Sequence, residues 1–327
     1  FSDRGVVYSV PAYRVPICSR AAKGTPIVQL LPIPREELIT SLLAVGGFEE
    51  HEQLVMLTSG GYIKRTRLSA FANIRSNGLI AIALEDGDAL CWVRQALPGD
   101  SVLIGSIKGM TIHFRLSDEE LRPLGRTARG VRAMNLRPGD ALVSMDVLPA
   151  ELADQVARSA EGELDGDADL DAEGIEETAA SEGPWVLVAS ASGLGKRVPV
   201  NQFRLQRRAG MGLRAIKFRR DGDALVGLKV LGAGEELLLV SERGVIVRMS
   251  ADAIPQQSRA ATGVRLQKLD SGDRLTEVVL VPPSAEEEDA LMEPDLEDGG
   301  AAEALAADAS LEGTAPGDGP AASEAAD

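Results

Sequence analysis

Short apolar runs recur along the chain, and each is followed by a glycine turn and an alternating segment. Residues 54–57, 101–104, 185–188 and 237–240 are runs of this kind, bounded by Gly, Ser or Asp. Such runs are typical of strands buried on both faces. Segments that follow the turns, such as Tyr62–Arg67, alternate apolar and polar residues, which predicts the second arm of a hairpin.

The pattern repeats five times, at a period of roughly 50 residues. Each repeat has a turn glycine and, later in the unit, a segment called here the arginine loop, in which an Arg comes shortly before a Gly. The turn glycines are Gly5, Gly61, Gly109, Gly193 and Gly244. The arginine loops are residues 20–24, 75–78, 126–130, 208–212 and 259–263.

After each arginine loop we predict a further strand, as at residues 131–136, and then a return strand, as at residues 224–231. Four of the five repeats place a Gly-Asp turn between these two strands. The only helix expected in the repeats is a short turn at residues 118–121. Four strands per repeat predict an all-β, propeller-like fold of radially arranged four-stranded sheets, since closure removes most exposed edges.

Charge is divided unevenly along the chain. Residues 151–183 hold twelve acidic residues and residues 284–327 hold fourteen, with Arg158 as their single basic residue, so the remaining 250 residues carry about +9. Both acidic segments lack apolar periodicity and are predicted to be disordered. The predicted organisation is therefore sheets in residues 1–150, an acidic insertion at 151–183, sheets in 184–283 and an acidic tail at 284–327. The first repeat begins just before its turn glycine, so we expect it to be truncated.

The remaining composition favours a binding module over an enzyme. Cys18 and Cys91 lie in different repeats, and His51 and His113 are the only histidines, so neither a disulfide framework nor a zinc site is expected. No phosphate-binding glycine loop, Ser/His/Asp set or metal-ligand cluster appears. The chain has no apolar run of membrane-spanning length and no signal peptide, which predicts a cytoplasmic protein without a membrane.

Basic residues that recur in phase indicate a polyanionic partner. Equivalent loops of a radial fold lie at equivalent positions, so the loop residues are expected to line one band suited to a phosphate backbone. The basic ends of the hairpin arms are further candidates, with an ordinary solvated strand face as the alternative. The candidate residues for contact with a nucleic-acid phosphate backbone are Arg20, Lys23, Lys64, Arg65, Arg75, Arg126, Arg129, Lys196, Arg197, Arg207, Arg208 and Arg259.

Several segments resemble, in order, the carboxy-terminal domain of the DNA gyrase A subunit. They are residues 5–8, 19–28, 75–82 and 125–132, and the resemblance extends over all five repeats, roughly residues 1–283. Residues 206–212 are similar to that family's gyrase box but have Ala209 and Met211 where the box has Gly and Lys, and they match a later repeat.

The resemblance implies a six-bladed β-pinwheel that wraps double-stranded DNA around a basic perimeter. Wrapping would give an ATP-dependent type II topoisomerase its direction in negative supercoiling. It also implies a missing blade upstream, no catalysis and no cofactor in this part, with ATP and Mg acting elsewhere in the complex. The implied partners are a second gyrase A subunit plus the gyrase B subunit, in a bacterial, nucleoid-associated A2B2 complex.

Two other functions stay open from the sequence. One is the equivalent domain of topoisomerase IV, which favours decatenation. The other is a propeller that serves as a scaffold for protein interaction, with the basic band binding an acidic protein.

Overall fold

The computed structural model describes residues 1–19, 21–161 and 183–281, and these residues are predominantly β-structure. The helices are α1 (Asp118–Leu121), α2 (Ala150–Glu161) and five short 3-10 helices (Ala12–Arg14, Ile27–Gln29, Leu68–Phe71, Val200–Gln202 and Ala251–Ala253). The strands are β1 (Val6–Val7), β2 (Gln53–Thr58), β3 (Tyr62–Arg67), β4 (Leu79–Ile80), β5 (Leu90–Ala96), β6 (Ser101–Ser106), β7 (Met110–Arg115), β8 (Val131–Arg132), β9 (Leu142–Leu148), β10 (Trp185–Ser190), β11 (Leu194–Pro199), β12 (Leu213–Arg214), β13 (Leu225–Leu231), β14 (Glu236–Ser241), β15 (Ile246–Ser250), β16 (Val264–Arg265) and β17 (Leu275–Val281).

The strands form antiparallel sheets in which neighbouring repeats exchange one strand. The strand orders are β5-β2-β3-β8, β12-β7-β6-β9 and β13-β10-β11-β16, with a three-stranded sheet β15-β14-β17 and a two-stranded sheet β1-β4. The two-residue strand after the arginine loop of the second, third, fourth and fifth repeats thus pairs with the preceding repeat. We call β4, β8, β12 and β16 the exchanged strands.

The return strands lie at the opposite edge of the sheets and contact one another. β5 contacts β9, β9 contacts β13, and β13 contacts β17. Ser144 on β9 reinforces this with a hydroxyl that donates to the Leu228 carbonyl at 3.0 Å and accepts from the Leu228 amide at 3.1 Å. The return strands therefore form the inner edge of a propeller-like arrangement, and the exchanged strands form its outer edge.

Apolar side chains pack between successive sheets. Leu57 and Ile63 of the second repeat share a buried cluster with Ile104 and Phe114 of the third. Further clusters join the first repeat to the second, the third to the fourth and the fourth to the fifth. This packing explains the continuous apolar runs, because β2, β6 and β10 are buried along their whole length.

The Gly-Asp turns have a structural role in the hairpins. Asp88 accepts hydrogen bonds from the Ser59 hydroxyl at 2.9 Å and from the Gly60 amide at 2.7 Å. Asp140 accepts from the Ser106 hydroxyl at 2.7 Å in the same way. These carboxylates tie the return strand to the hairpin turn of its own repeat, and Asp223 and Asp273 make equivalent bonds.

The prediction of a disordered insertion beginning at residue 151 is wrong for its first eleven residues, which belong to α2. Ala153 and Val156 lie three positions apart, are buried, and face the fold, while α2 packs on the 3-10 helix at Val200–Gln202. The Ala150 amide donates to Asp100 at 3.0 Å, and Asp154 pairs with Arg115 at 2.5 Å. The rest of the insertion and the acidic tail lie outside the described residues.

Two other expectations concern local structure. The predicted turn of helix at Asp118–Leu121 is confirmed, because the Ser117 hydroxyl accepts from the Glu120 amide and begins α1. The strands expected after the arginine loops are shorter than predicted, with only two residues each. The fourth strand of each complete sheet comes from the next repeat.

Candidate nucleic-acid interface

The arginine loops of the second to fifth repeats lie at the outer edge of the sheets because each leads directly into an exchanged strand. The pairing of Val131 with Ile63 brings the third repeat's loop against β3 of the second repeat. Gly130 makes this approach possible with a φ of 101°, since a Cβ built there would lie 2.4 Å from the Ile63 carbonyl oxygen. The exchange of strands thus fixes the loops at equivalent places on successive repeats.

Hydrogen bonds connect neighbouring loops along this edge. The Arg208 guanidinium donates to the Arg132 carbonyl oxygen at 2.6 Å, where Arg132 is the last residue of β8. The Arg259 guanidinium donates in the same way to the Arg214 carbonyl oxygen at 2.6 Å, where Arg214 is the last residue of β12. Loop arginines therefore lie against the exchanged strand of the preceding repeat, and the basic residues of the third, fourth and fifth repeats form a continuous band.

Between the second and third repeats the band contains an open cavity of about 560 Å³. Arg75 and Arg126, from successive loops, both line it, together with Ser69, Asn73 and Asn77. Arg75 is exposed and Arg126 is half-buried. Two guanidinium groups beside amide and hydroxyl donors form a set suited to an anionic oxygen ligand such as a phosphate.

The other predicted loop residues differ in exposure. Lys23 and Arg207 are exposed. Arg129 is half-buried, forms an ion pair with Glu85, and lies 4.1 Å from the centre of the Tyr62 ring. Arg20 lies outside the described residues.

The structure corrects the expectation that Lys64 and Lys196 form part of the contact surface. Both side chains are 0 % exposed. Burial, with a smaller effect of the Arg126 guanidinium, lowers the pKa of Lys64 to about 8, and burial with Arg259 lowers that of Lys196 to about 7. Their ammonium groups bind backbone carbonyls of the next repeat, so neither reaches a phosphate on the surface.

Arg65 and Arg197, the next residues along the same strands, also face the next repeat. Arg65 is 2 % exposed, donates to the Leu116 carbonyl, and pairs with Asp118 at 2.6 Å. Arg197 donates to the Ile254 carbonyl at 2.7 Å and pairs with Asp252 at 2.8 Å. Its guanidinium lies 4.5 Å from the centre of the Trp185 ring. Arg65 therefore leaves the candidate contact set, and Arg197 has its donors committed to the protein.

Three arginines that the sequence reasoning left out belong to the band. Arg132, Arg214 and Arg265 each end an exchanged strand, and all three are exposed. The signal that identifies them is the recurrence of Gly, an apolar residue and Arg after the arginine loop in the third, fourth and fifth repeats.

The loop at residues 206–212 has an unusual backbone for its sequence. Ala209 has a φ of 62°, and it is the one non-glycine residue with positive φ among the described residues. Its amide donates to the Ala133 carbonyl at 2.8 Å, while the Gly210 carbonyl accepts from Asn135 at 2.9 Å. Two backbone hydrogen bonds thus hold this loop on residues 133–135 of the third repeat.

The described part of the chain contains no cluster of three or more His, Cys, Asp or Glu residues that could hold a metal ion. No helix within it is long and apolar enough to cross a membrane.

A family model described as the DNA gyrase C-terminal domain, beta-propeller, matches the chain over residues 1–45, 52–94, 100–149, 184–231 and 235–282. These ranges follow the five repeats. The chain belongs to this family. The prediction of the family and that of an all-β, propeller-like fold are therefore confirmed.

Relatives are DNA gyrase A subunits from bacteria and plants. The chain is 56% identical over 288 residues to the DNA gyrase A subunit of Synechocystis sp., covering 88% of this chain and 34% of the relative. It is 40% identical over 296 residues to the chloroplastic/mitochondrial gyrase A subunit of Arabidopsis thaliana, covering 88% of this chain and 30% of the relative. The chain thus spans about a third of the length of these relatives.

Two solved structures are similar in fold. The C-terminal domain of DNA topoisomerase IV has a TM-score of 0.70 at 20% identity, covering 90% of this chain and 82% of that one. A DNA gyrase A C-terminal domain has a TM-score of 0.66 at 23% identity, covering 86% and 80%. At these identities the likeness establishes the fold.

Proposed function

We propose that this chain binds double-stranded DNA along the outer band of arginine loops and exchanged strands, and wraps it. The observation that carries the proposal is the joining of successive loops, in which Arg208 and Arg259 bond the strands that end in Arg132 and Arg214. A continuous row of guanidinium groups on a curved edge matches the repeating charge of a DNA backbone.

Binding of this kind is sequence-tolerant and strongly dependent on salt. The band offers phosphate-binding groups. Bending a DNA segment of ~20–30 base pairs costs on the order of 1–6 kcal/mol of free energy. Contacts from several repeats must together exceed that cost. Each phosphate neutralised adds about 0.9 to the slope of log affinity against log salt.

If the chain wraps DNA, it acts as the DNA-wrapping part of a larger enzyme. The relatives are components of DNA gyrase, and within such a complex wrapped DNA gives strand passage a direction, toward negative supercoils at the expense of ATP. The proposed partners are a second gyrase A subunit plus the gyrase B subunit, in an A2B2 complex in the bacterial cytoplasm. In this proposal strand cleavage, ATP and Mg belong to parts of the complex outside this chain.

The test is duplex binding measured by fluorescence anisotropy over a range of salt concentrations. The variant Arg75→Ala/Arg126→Ala removes two charges from the band at the cavity between the second and third repeats. The control, Arg94→Ala/Arg158→Ala, removes two charges from β5, at the inner edge, and from α2. We expect the band variant to lower the salt slope by about 1 to 2 and the control to leave it unchanged.

Equal slopes in the wild type and the band variant would contradict the proposal. Displacement of DNA by an acidic protein, at a lower concentration than plain duplex requires, would instead favour a protein-interaction scaffold.

A further inference from the structure

Lys64 and Lys196 occupy the same position in the second and fourth repeats, three residues after the turn glycine. Lys64 Nζ donates to the carbonyl oxygens of Ala81 at 2.6 Å, Gly125 at 3.0 Å, Arg126 at 2.5 Å and Ala128 at 3.1 Å. An ammonium group has three protons, so these four short contacts share its donors.

Lys196 makes the same kind of contact between the fourth and fifth repeats. Its Nζ donates to the carbonyl oxygens of Ser258 at 2.7 Å, Arg259 at 2.6 Å and Ala261 at 2.6 Å. In both cases three of the carbonyls lie in the arginine loop of the following repeat or on the residue just before it, and one of these belongs to the loop arginine itself. The fourth acceptor of Lys64, the Ala81 carbonyl, lies in the second repeat.

A buried ammonium group is costly unless it is fully hydrogen-bonded, and so are converging buried carbonyls without a donor. Each group in this arrangement satisfies the other. The curled loop backbone that brings three carbonyl oxygens within 3.1 Å of one nitrogen therefore depends on the lysine. Fixing the backbone at Arg126 or Arg259 also fixes the point from which that side chain extends.

We propose that Lys64 and Lys196 are positioning residues for DNA binding. Each holds the next repeat's arginine loop in the shape that presents its arginine to a phosphate, without contacting DNA. This inference rests on the proposed function of the arginine loops.

The third repeat supplies an internal contrast. Ile112 takes the place of the lysine there, and the loop of the fourth repeat is anchored by other groups. The Arg208 amide donates to the Glu120 carboxylate at 2.9 Å, and its guanidinium donates to the Glu120 carbonyl at 2.7 Å. The amide bond is not specific to this loop, because the Arg259 amide donates in the same way to the Gln202 side chain at 2.8 Å beside Lys196. The bond from the Arg208 guanidinium to the Glu120 carbonyl is the additional contact that the loop without a lysine makes.

The first experiment is a double-mutant cycle in the full chain, in which the affinity for duplex DNA is measured. Lys64→Met keeps the length of the side chain and removes its charge, and Arg126→Ala removes the arginine that Lys64 positions. We expect Lys64→Met to weaken binding about threefold to tenfold alone, and to have little further effect beside Arg126→Ala. Additive effects would overturn the proposal.

Lys229→Met is the matched control. Lys229 lies on β13 at the inner edge, and burial lowers its pKa as burial does for Lys64. The substitution changes the net charge by the same amount, and no arginine loop carbonyl bonds this residue in the described structure. If Lys229→Met weakens binding as much as Lys64→Met does, a general charge effect replaces positioning.

The rate of tryptic cleavage at each loop arginine reports the local order of the loop directly, without a measurement of DNA binding. We expect Lys64→Met to speed cleavage after Arg126 and Arg129, and Lys196→Met to speed cleavage after Arg259. Cleavage after Arg208 should match the wild type in both variants. Uniformly faster cleavage at all loops would indicate global destabilisation and would contradict a local positioning role.

The pH profile gives a second readout. The loop that faces Lys64 contains two charged residues, Arg126 and Arg129, and the loop that faces Lys196 contains one, Arg259. On the neighbouring strands the residues opposite the lysines are uncharged: Met56 on β2 is opposite Lys64, and Val188 on β10 is opposite Lys196. Raising the pH from 6 to 9 neutralises both ammonium groups, so wild-type affinity should fall. The Lys64→Met/Lys196→Met variant should show a flat profile, and an equal response in both proteins would overturn the proposal.

The arginine variants separate this inference from the proposed function. If Arg126→Ala weakens binding and Lys64→Met does not, the loops bind DNA but the lysines do not position them. If neither variant weakens binding, the proposed function and this inference both fail.

Discussion

The second and third repeats form equivalent sheets, yet the same two positions of their second strands have different side chains. Lys64 and Arg65 stand in β3, and Ile112 and His113 stand in β7. Arg65 donates to the Leu116 carbonyl, and the His113 ring lies 2.7 Å from the Phe203 carbonyl. Both side chains join one repeat to the connection that precedes the next arginine loop.

The comparison shows that position decides the role of these basic residues more than residue type does. An arginine and a neutral imidazole serve the same contact, because the contact requires a donor for a buried carbonyl and does not require a charge. A side chain at the position of Arg65 and His113 in the hairpin arm therefore indicates a bond between repeats, whereas a basic residue in an arginine loop indicates the surface band.

The largest effect is expected where the two repeats agree, at the glycines that end the arginine loops. A Cβ at Gly130 or at Gly212 would lie 2.4 Å from a carbonyl oxygen of the preceding repeat, on Ile63 or Thr111. We expect Gly130→Ala and Gly212→Ala each to cost about 3 kcal/mol or more of unfolding free energy. The measurement is urea denaturation.

Gly87→Ala is the control for backbone conformation alone. Gly87 also has a positive φ, of 82°, but its Cβ would meet nothing within 4 Å. Its substitution should cost about 1 kcal/mol. Similar losses at Gly87 and Gly130 would mean that close approach of the exchanged strand is unimportant.

The next largest effect is a difference in unfolding free energy between substitutions of Arg65 in the second repeat and of His113 in the third. Arg65→Ala removes a buried side chain and leaves the Leu116 carbonyl without its donor, so we expect a loss of about 3 kcal/mol. His113→Ala should cost about 2 kcal/mol, because Ser101, whose hydroxyl lies 2.8 Å from the ring, also loses its partner. Arg67→Ala, at the exposed end of β3, should stay within about 0.5 kcal/mol. The comparison fails if His113→Ala costs no more than Arg67→Ala.

A smaller effect distinguishes the imidazole from the guanidinium by pH. Burial lowers the pKa of His113 below its usual value, while the bond to the Phe203 carbonyl raises it by a smaller amount. The unfolded chain therefore binds a proton that the folded chain does not when the pH falls below about 6.5. Stability should decrease from pH 7 to pH 5. The His113→Gln variant should lose that part of the dependence in urea denaturation, and an unchanged slope would contradict a neutral buried ring.

The smallest effect concerns the loop on the third repeat. Ala209 holds a φ of 62°, which glycine adopts at lower cost. Ala209→Gly should raise the melting temperature, with a gain of about 0.5 to 1 kcal/mol. Arg207→Gly, at an exposed position nearby, serves as the comparison and should give no gain. A loss of stability on Ala209→Gly would mean that the Ala209 methyl group makes a stabilising contact.

Much of the fold could be predicted from the sequence because the repeats are regular. The apolar runs predict β2, β6, β10 and β14, and the residues around Ser117 predict α1. The exchange of strands could not be predicted, since pairing between repeats leaves no periodic signal in strands of two residues. α2 was missed because its acidic composition outweighed Ala153 and Val156, which form its buried face.

The candidate site could be predicted only in part. Arg75, Arg126, Arg208 and Arg259 lie in loops that lead into the exchanged strands at the outer edge, and their contact with a phosphate stays a prediction. The sequence places Lys64 and Lys196 on the surface because lysine is rarely buried without a partner, and most of their partners are carbonyls more than 60 residues away. Arg132, Arg214 and Arg265 escape prediction because their place at the outer edge depends on the exchange of strands between repeats.

The central claim, that DNA wraps along the outer band, is tested most directly by plasmid topology. A relaxed plasmid is nicked and religated with the chain present, using the wild type, the Arg75→Ala/Arg126→Ala/Arg207→Ala/Arg259→Ala variant and the Arg94→Ala/Arg158→Ala control. We predict a linking-number shift of one sign with the wild type and the control, and none with the band variant. An equal shift with the band variant, or binding by the wild type without any shift, would contradict wrapping along this band.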